Sequence, residues 1–245
     1  MLTRFYIACA CWILPAAAAD ELRAYTEEVP PLNYSENGKV KGFATDVLRM
    51  AAKDAGIRLR VESLPWLRAL AIVKDTPNTL LYTTVRTPER ESQFQWVGPI
   101  SPRKIYLYRL RDNTEVEVAG LLDLARYRIG AMSGSAAANQ LADLGFQAGG
   151  NLDLSRDDAT NLKKLLLHRV ELVAMLDWAM SWQLRQLHQP EQTVVPALLL
   201  DGKKQYWYAL NRATPPELAK RLQASLDKIQ ADGRLQSLRL NYRND

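Results

Sequence analysis

Residues 43–61 read Phe-Ala-Thr-Asp-Val-Leu-Arg-Met-Ala-Ala-Lys-Asp-Ala-Gly-Ile-Arg-Leu-Arg-Val, and two periods follow one another along them. From Phe43 to Ala55 the apolar residues Val47, Leu48, Ala51 and Ala55 fall on one helical face, and Gly56 stops the helix. Ile57 to Val61 then alternates with period two, as a half-buried strand does. A helix handing over to a strand across one glycine is the unit of an α/β layer.

The same alternation extends outward in both directions. Upstream, Leu22 to Thr26 reads as a strand. Glu27 to Pro31 is then a loop, because adjacent prolines cannot sit inside a central strand. Asn37-Gly38 marks a turn. Downstream, Pro65 opens a helix to about Lys74, a proline being tolerated at the first helical position. Thr79 to Val85 is a strand broken by Thr87-Pro88-Glu89-Arg90. Lys104 to Arg109 is a strand, Leu121 to Ala125 a short helix and Tyr127 to Ala131 a strand. Ser133-Gly134-Ser135 precedes a helix to about Leu144. Ser155 with Asp158 has the spacing of a capping box before a helix ending near His168. Glu171 to Leu176 is a buried strand, and Asp177 starts a helix with Trp178 and Trp182 on one side. Gln205 to Leu210 is a strand. Pro215-Pro216 starts a helix with Leu218, Leu222, Leu226 and Ile229 on one face, ended by Gly233, and a last helix covers about Leu235 to Tyr242.

The N-terminus bears on compartment. Arg4 precedes a ten-residue apolar run, Phe5 to Leu14, and Ala16 to Ala19 supplies small residues before Asp20. This is the layout of a cleaved secretory signal peptide over residues 1–19. The run is shorter than the roughly 20 residues a bilayer span needs. Cleavage after Ala19 leaves 226 of the 245 residues. Both cysteines, Cys9 and Cys11, lie in the removed segment, so a mature chain has neither disulfide nor thiol nucleophile. The net charge of +5 is spread without a dense basic block, which argues against nucleic acid as a partner.

The order of short motifs resembles the bacterial extracellular solute-binding proteins of the polar amino-acid type. The motifs are Pro31-Leu32-Asn33-Tyr34 with Gly38-Lys39-Val40-Lys41-Gly42-Phe43; Thr87-Pro88-Glu89-Arg90 with Phe94 and Gly98-Pro99-Ile100; Leu121-Leu122-Asp123-Leu124 leading to Ile129-Gly130; His168-Arg169-Val170-Glu171-Leu172; and Asp232-Gly233. Pro65-Trp66-Leu67-Arg68-Ala69 resembles one subgroup. The resemblance implies the two-lobed type II periplasmic-binding fold, each lobe a mixed sheet flanked by helices, joined by two hinge strands. Lys104 to Arg109 and Gln205 to Leu210 fit those crossings. Lobe 1 would then combine 20–107 with 207–245, and 108–206 would form lobe 2. The implied molecule is a periplasmic monomer that closes on a small ligand by hinge motion and hands it to a membrane permease or receptor.

The resemblance also implies site residues. Arg90 would grip a ligand carboxylate, for which a planar guanidinium fork is suited; the alternative is a surface arginine paired with Glu89 or Glu91. Ser133, Gly134 and Ser135, entering a helix, would offer backbone N–H groups to the same carboxylate; an ordinary helix cap is compatible with that. Asp177 would take the ammonium group, or cap its own helix. Thr83 and Val85 would offer polar backbone groups. Trp66, Tyr34, Tyr82 and Trp178 are candidate aromatic walls, Trp66 first among them because it stands at a helix start; for any one of them core packing is the commoner role. Glu28 is a candidate selector for a cationic ligand. Two departures from the family pattern stand out. Arg169-Val170-Glu171 replaces a common aspartate, and Val29 stands where an aromatic often stacks on the ligand.

Rival classes leave weaker traces. His168 and His188 are the only histidines, and neither lies in a nucleophilic or metal-ligand pattern. The reading is therefore a non-enzyme without metal or cofactor that binds an amino acid or related carboxylate. A sensory binding protein, or a dehydratase-like enzyme on the same fold, are the alternatives.

Overall fold

The computed structural model describes residues 20–244, with side chains to Tyr242. The expected signal peptide at 1–19 lies outside the described residues.

The described residues form ten strands and eight α-helices: β1 Glu21–Thr26, β2 Tyr34–Glu36, β3 Lys39–Lys41, α1 Phe43–Asp54, β4 Arg58–Ser63, α2 Trp66–Asp75, β5 Thr79–Val85, α3 Pro88–Glu91, β6 Phe94–Leu110, β7 Ile129–Met132, α4 Ala136–Asp143, β8 Leu152–Ser155, α5 Asp158–Leu166, β9 Leu172–Leu176, α6 Asp177–Gln186, β10 Val194–Asn211, α7 Pro216–Ala231 and α8 Arg234–Asn244. Eight strands form one mixed sheet in the order β4-β1-β5-β10-β6-β9-β7-β8. β1 pairs in parallel with β4 and β5, and β7 with β8 and β9. Between these groups lie the two long antiparallel strands β6 and β10.

These two strands are much longer than the alternation at 104–109 and 205–210 suggests. Gly98, Pro99 and Pro102 hide the first half of β6, since proline donates no ladder bond. The ladder absorbs them through register shifts, among them those between Tyr206 and Tyr208 and between Asp201 and Lys204. The core changes partway along each strand. Val97 and Ile100 of β6 and Tyr206, Tyr208 and Leu210 of β10 pack with α1 and α7 in one cluster. Ile105 and Leu107 of β6 and Leu200 of β10 pack with α4, β7 and β9 in another. The exchange therefore lies between Ile100 and Ile105 on one strand and between Leu200 and Tyr206 on the other.

Helix α6 reaches back across that exchange. Trp178 stacks on Phe43 at 4.9 Å between centroids and Trp182 on Tyr34 at 5.0 Å. Arg185 Nη2 donates to the Tyr242 carbonyl at 3.3 Å.

The opening loop positions the first helix. Phe43 N donates to Pro31 O at 3.0 Å and Ala44 N to Leu32 O at 2.8 Å, so loop carbonyls satisfy the first N–H groups of α1. Gly42 holds φ +117, and a Cβ there would meet Leu32 O at 2.5 Å. Only glycine fits that approach.

Two local expectations change. Asp157, not Ser155, caps α5, its Oδ1 accepting from Thr160 N at 2.7 Å. Ser155 belongs to β8, paired with Met132, and its carbonyl accepts from Ser133 N at 2.8 Å. The strand β8 itself is four residues, too short to announce itself by alternation. Among the described residues no helix is long and apolar enough to cross a membrane.

Candidate functional site

The C-terminal end of β5 leads through Val85 to the Thr87–Arg90 turn, and this turn borders a cavity of about 460 Å³. Val85, Thr87, Glu89 and Arg90 line one side. Arg103, Lys204 and Ala136 line the other. Polar strand ends facing a gap where a sheet changes core are where α/β folds bind ligands.

Arg90 lines the cavity, and among the described residues it makes no ion pair with a carboxylate. Its Nη1 donates to Val85 O at a long 3.3 Å, and its guanidinium lies 5.2 Å from the Trp66 ring centroid. Of the two nearby glutamates, Glu91 is paired with Arg86, while Glu89 makes no ion pair with Arg90 but lies within reach of its charge. Glu91 accepts from Arg86 Nε at 2.7 Å, and that hydrogen bond holds its carboxyl below the ordinary range. Glu89 is held low by a hydrogen bond from Thr87. Arg86 is further clamped over the Trp207 and Trp96 rings, at 4.8 and 5.7 Å. The neighbouring arginine thus fills the surface-pair role and leaves Arg90 to the cavity.

The opposite wall is the start of α4. Ser135 Oγ accepts from Ala138 N at 3.1 Å and caps the helix. Ala136 lines the cavity, so the positive end of α4 faces it. Two of the loop's N–H groups are used within the fold: Ser133 N on Ser155 O, and Ser135 N on Met132 O at 3.1 Å. Gly134 holds the turn at φ +72.

Beside the cavity runs the crossing itself, which contributes Arg103 and Lys204 to the lining. Tyr206 of β10 pairs with Val85 and with Ser101. Its hydroxyl is pushed up to about 12, first by burial and then by the charges of Glu27 and Asp177, against the pull of Arg103. Arg103 is buried and its Nη1 donates to Asp201 Oδ2 at 2.6 Å, a carboxylate shared with Lys204 at 3.3 Å. Asp177 opens α6, where its Oδ1 accepts from Trp178 N at 2.9 Å; burial pushes the Tyr108 hydroxyl up, and the Asp177 charge adds to that. Asp177 therefore stands by both long strands.

The remaining sequence candidates fall around this frame. Thr83 is buried, with a φ of 58, and its Oγ1 donates to Asn33 Oδ1. Tyr34 faces Trp182, and Trp178 faces Phe43. Tyr82 is fully buried, its hydroxyl 2.8 Å from Thr45 Oγ1. Glu28 is hydrogen-bonded by Ser35 N at 2.8 Å and by the Ser35 and Ser63 hydroxyls. Burial opposes these bonds, yet they draw its carboxyl below its ordinary value.

Arg103, Lys204 and Glu27 were not singled out by the sequence. Arg103 left a signal: it stands two residues before Ile105 and four before Leu107, the period of one strand face, and the structure buries all three. Lys204 follows Asp201-Gly202 in a stretch with no such pattern. Among the described residues no group of three or more His, Cys, Asp or Glu is placed to hold a metal.

Comparisons with known proteins agree on a type. The family model of the bacterial extracellular solute-binding proteins, family 3, matches residues 22–245. Among curated proteins the chain is 26% identical over 233 residues to the membrane-bound lytic murein transglycosylase F of Ectopseudomonas mendocina, covering 92% of this chain and 46% of that protein. It is 22% identical to the probable amino-acid-binding protein YxeM of Bacillus subtilis, over 88% of this chain and 80% of the other. The chain thus spans about half the length of the transglycosylase relatives it matches. Among solved structures, a histidine kinase sensor domain superposes with a TM-score of 0.72 at 20% identity, over 90% of this chain and 95% of the other. An ancestral arginine-binding protein bound to arginine superposes with 0.70 at 20%, over 91% and 97%. Substrate-binding domain 2 of Lactococcus lactis GlnP superposes with 0.71 at 17%, over 92% and 96%. These likenesses show the periplasmic-binding fold.

Proposed function

Because the chain belongs to the bacterial extracellular solute-binding proteins, family 3, we propose that it captures a small amino-acid-like ligand in the Arg90 cavity for an ABC-type importer. The observation that carries this reading is the guanidinium of Arg90, which lines the cavity and makes no ion pair with a carboxylate partner among the described residues, while Glu91 is held by Arg86. A ligand carboxylate supplies that partner, with the start of α4 across the cavity assisting. Asp177, at the start of α6, takes the ligand's ammonium. Trp66 backs Arg90, and Val85 and Thr83 hold the strand end that carries it. The two lobes exchange at 101–104 on β6 and 201–205 on β10, and closure turns about those segments. Residues 1–19 act as a signal peptide that delivers the chain to the periplasm.

A second reading, a ligand sensor working through a membrane receptor, is supported by the likeness to the kinase sensor domain. It shares the site and differs in the partner. Binding without catalysis is common to both.

The test is a thermal-shift screen of amino acids, polyamines and small organic acids. A ligand at about 100 times its Kd adds about 2.7 kcal/mol and raises Tm by about 5–11 °C. Stabilisation only by compounds without a carboxylate overturns the assignment of Arg90.

A further inference from the structure

The cavity beside Arg90 carries more positive charge than one carboxylate needs. Among the described residues that line it, Arg90, Arg103 and Lys204 are cations and Glu89 is the one acid. The cations stand at two ends. Arg90 comes from the turn after β5, with Glu89 next to it in the chain. Arg103 and Lys204 come from the crossing strands β6 and β10, where they are partners in the ladder.

Like charges directly opposite one another on an antiparallel pair repel. A single carboxylate oxygen offsets that repulsion. Asp201 Oδ2 accepts from Arg103 Nη1 at 2.6 Å and lies 3.3 Å from Lys204 Nζ. Asp201 itself is outside the cavity's lining. Arg103 is buried, whereas the Lys204 side chain is 53% exposed and has donors to spare beyond Asp201. Two cations and one anion leave the crossing end with one positive charge in excess, whatever Arg90 binds. Ala136, the first residue of α4, lines the same cavity and adds the positive end of that helix. A volume of about 460 Å³ suits one small molecule that touches both ends.

We propose that Lys204 is a specificity-determining residue: with Arg103 beside it, it receives a second acidic group of the ligand, while Arg90 holds the first. The ligand class is then a dicarboxylate, and in amino-acid form an acidic amino acid. This rests on Arg90 as the carboxylate site of the reading above, and the experiment separates the two.

The wild-type chain, Lys204→Gln and Lys203→Gln are titrated calorimetrically with L-glutamate and L-glutamine, with L-aspartate and L-asparagine, and with glutarate. Acid and amide share the α-carboxylate and α-ammonium, so the ratio of their affinities isolates the second acidic group. A charge-assisted hydrogen bond to that group gives one acid an advantage of at least about tenfold over its amide in the wild type. In Lys204→Gln the ratio falls to within about threefold. Lys203 is exposed and does not line the Arg90 cavity, so Lys203→Gln removes the same net charge and keeps the ratio. Amides that bind as tightly as their acids in the wild type overturn the proposal and leave the amino-acid reading standing. A ratio kept in Lys204→Gln, or lost equally in Lys203→Gln, overturns the role of Lys204. Glutarate bound while no amino acid binds supports the two-acid ligand and removes the amino-acid reading. Binding of none of the acids overturns the proposal, and the wider screen then decides the amino-acid reading by itself. Should Lys204→Gln not fold, the wild-type ratios decide.

Discussion

Replacing Arg90 by alanine should separate binding from stability. In the free protein Arg90 makes one long hydrogen bond, 3.3 Å to Val85 O, and one cation–π contact, 5.2 Å to Trp66. The first is worth about 1 kcal/mol at most and the second about 0.5–1 kcal/mol at a half-exposed site. The loss of stability is therefore about 1–2 kcal/mol, which lowers Tm by roughly 2–8 °C in a chain of this size. The loss of binding is much larger. Truncating one member of a hydrogen-bonded charge pair in a desolvated site costs about 2–5 kcal/mol, or about 30-fold to several thousandfold in Kd. Titration calorimetry with the ligand found in the screen measures the second quantity, and a melting curve the first. Arg86→Ala is the control: it removes the clamp on Glu91, Trp96 and Trp207, and so trades the pattern, with more stability lost than binding. Arg90→Ala binding within about threefold of the wild type would refute the carboxylate assignment, since a hydrogen bond to a charged group at a binding site is worth about 1.5–3 kcal/mol.

Two further outcomes follow from the fold. Asp158 sits at the start of α5 with a pKa raised to about 6, first by burial and then by the charge of Asp157. Its unfolded value is 3.8, so the folded state holds the proton more tightly; the stability this gives is present below pH 4 and lost as pH rises through about 6. The cost at pH 7 is up to about 3 kcal/mol. Asp158→Asn should raise Tm at pH 7 and match the wild type near pH 4; equal melting curves across that range would show that the carboxylate is better solvated than its burial implies. Gly42→Ala should cost about 3 kcal/mol or more, because its Cβ would meet Leu32 O at 2.5 Å on a backbone with φ +117. A Tm within about 2 °C of the wild type would mean that the opening loop yields, and the rigid contact with α1 would be wrong.

Much of the architecture was legible in the chain because periodicity is a local property. The run from Phe43 to Val61 shows its helix and strand, and Thr79 to Val85 is a strand between the residues expected. The long strands β6 and β10 were only half legible, since Gly98, Pro99 and Pro102 look like an interruption until a partner strand bulges to accept them. The cap of α5 was misassigned for a similar reason. Ser155 and Asp157 are equally good caps as residue types, and the pairing of Ser155 with Met132 across β8 and β7 decides between them.

The residues alone point to an α/β chain of the solute-binding type, and to Arg90 as the residue to ask about. What it could not decide was who pairs with whom. Arg86 and Arg90 are the same residue type four positions apart, and only the packing of Arg86 over Trp96 and Trp207, far along the chain, assigns Glu91 to it and leaves Arg90 to the cavity. Glu27 and Glu28 are neighbours of identical chemistry, and only the hydroxyls of Ser35 and Ser63 distinguish the engaged carboxylate from the unpaired one. A charge's role depends on which groups lie within a few ångströms of it and how much water remains, and those distances exist only once the strands have been brought together.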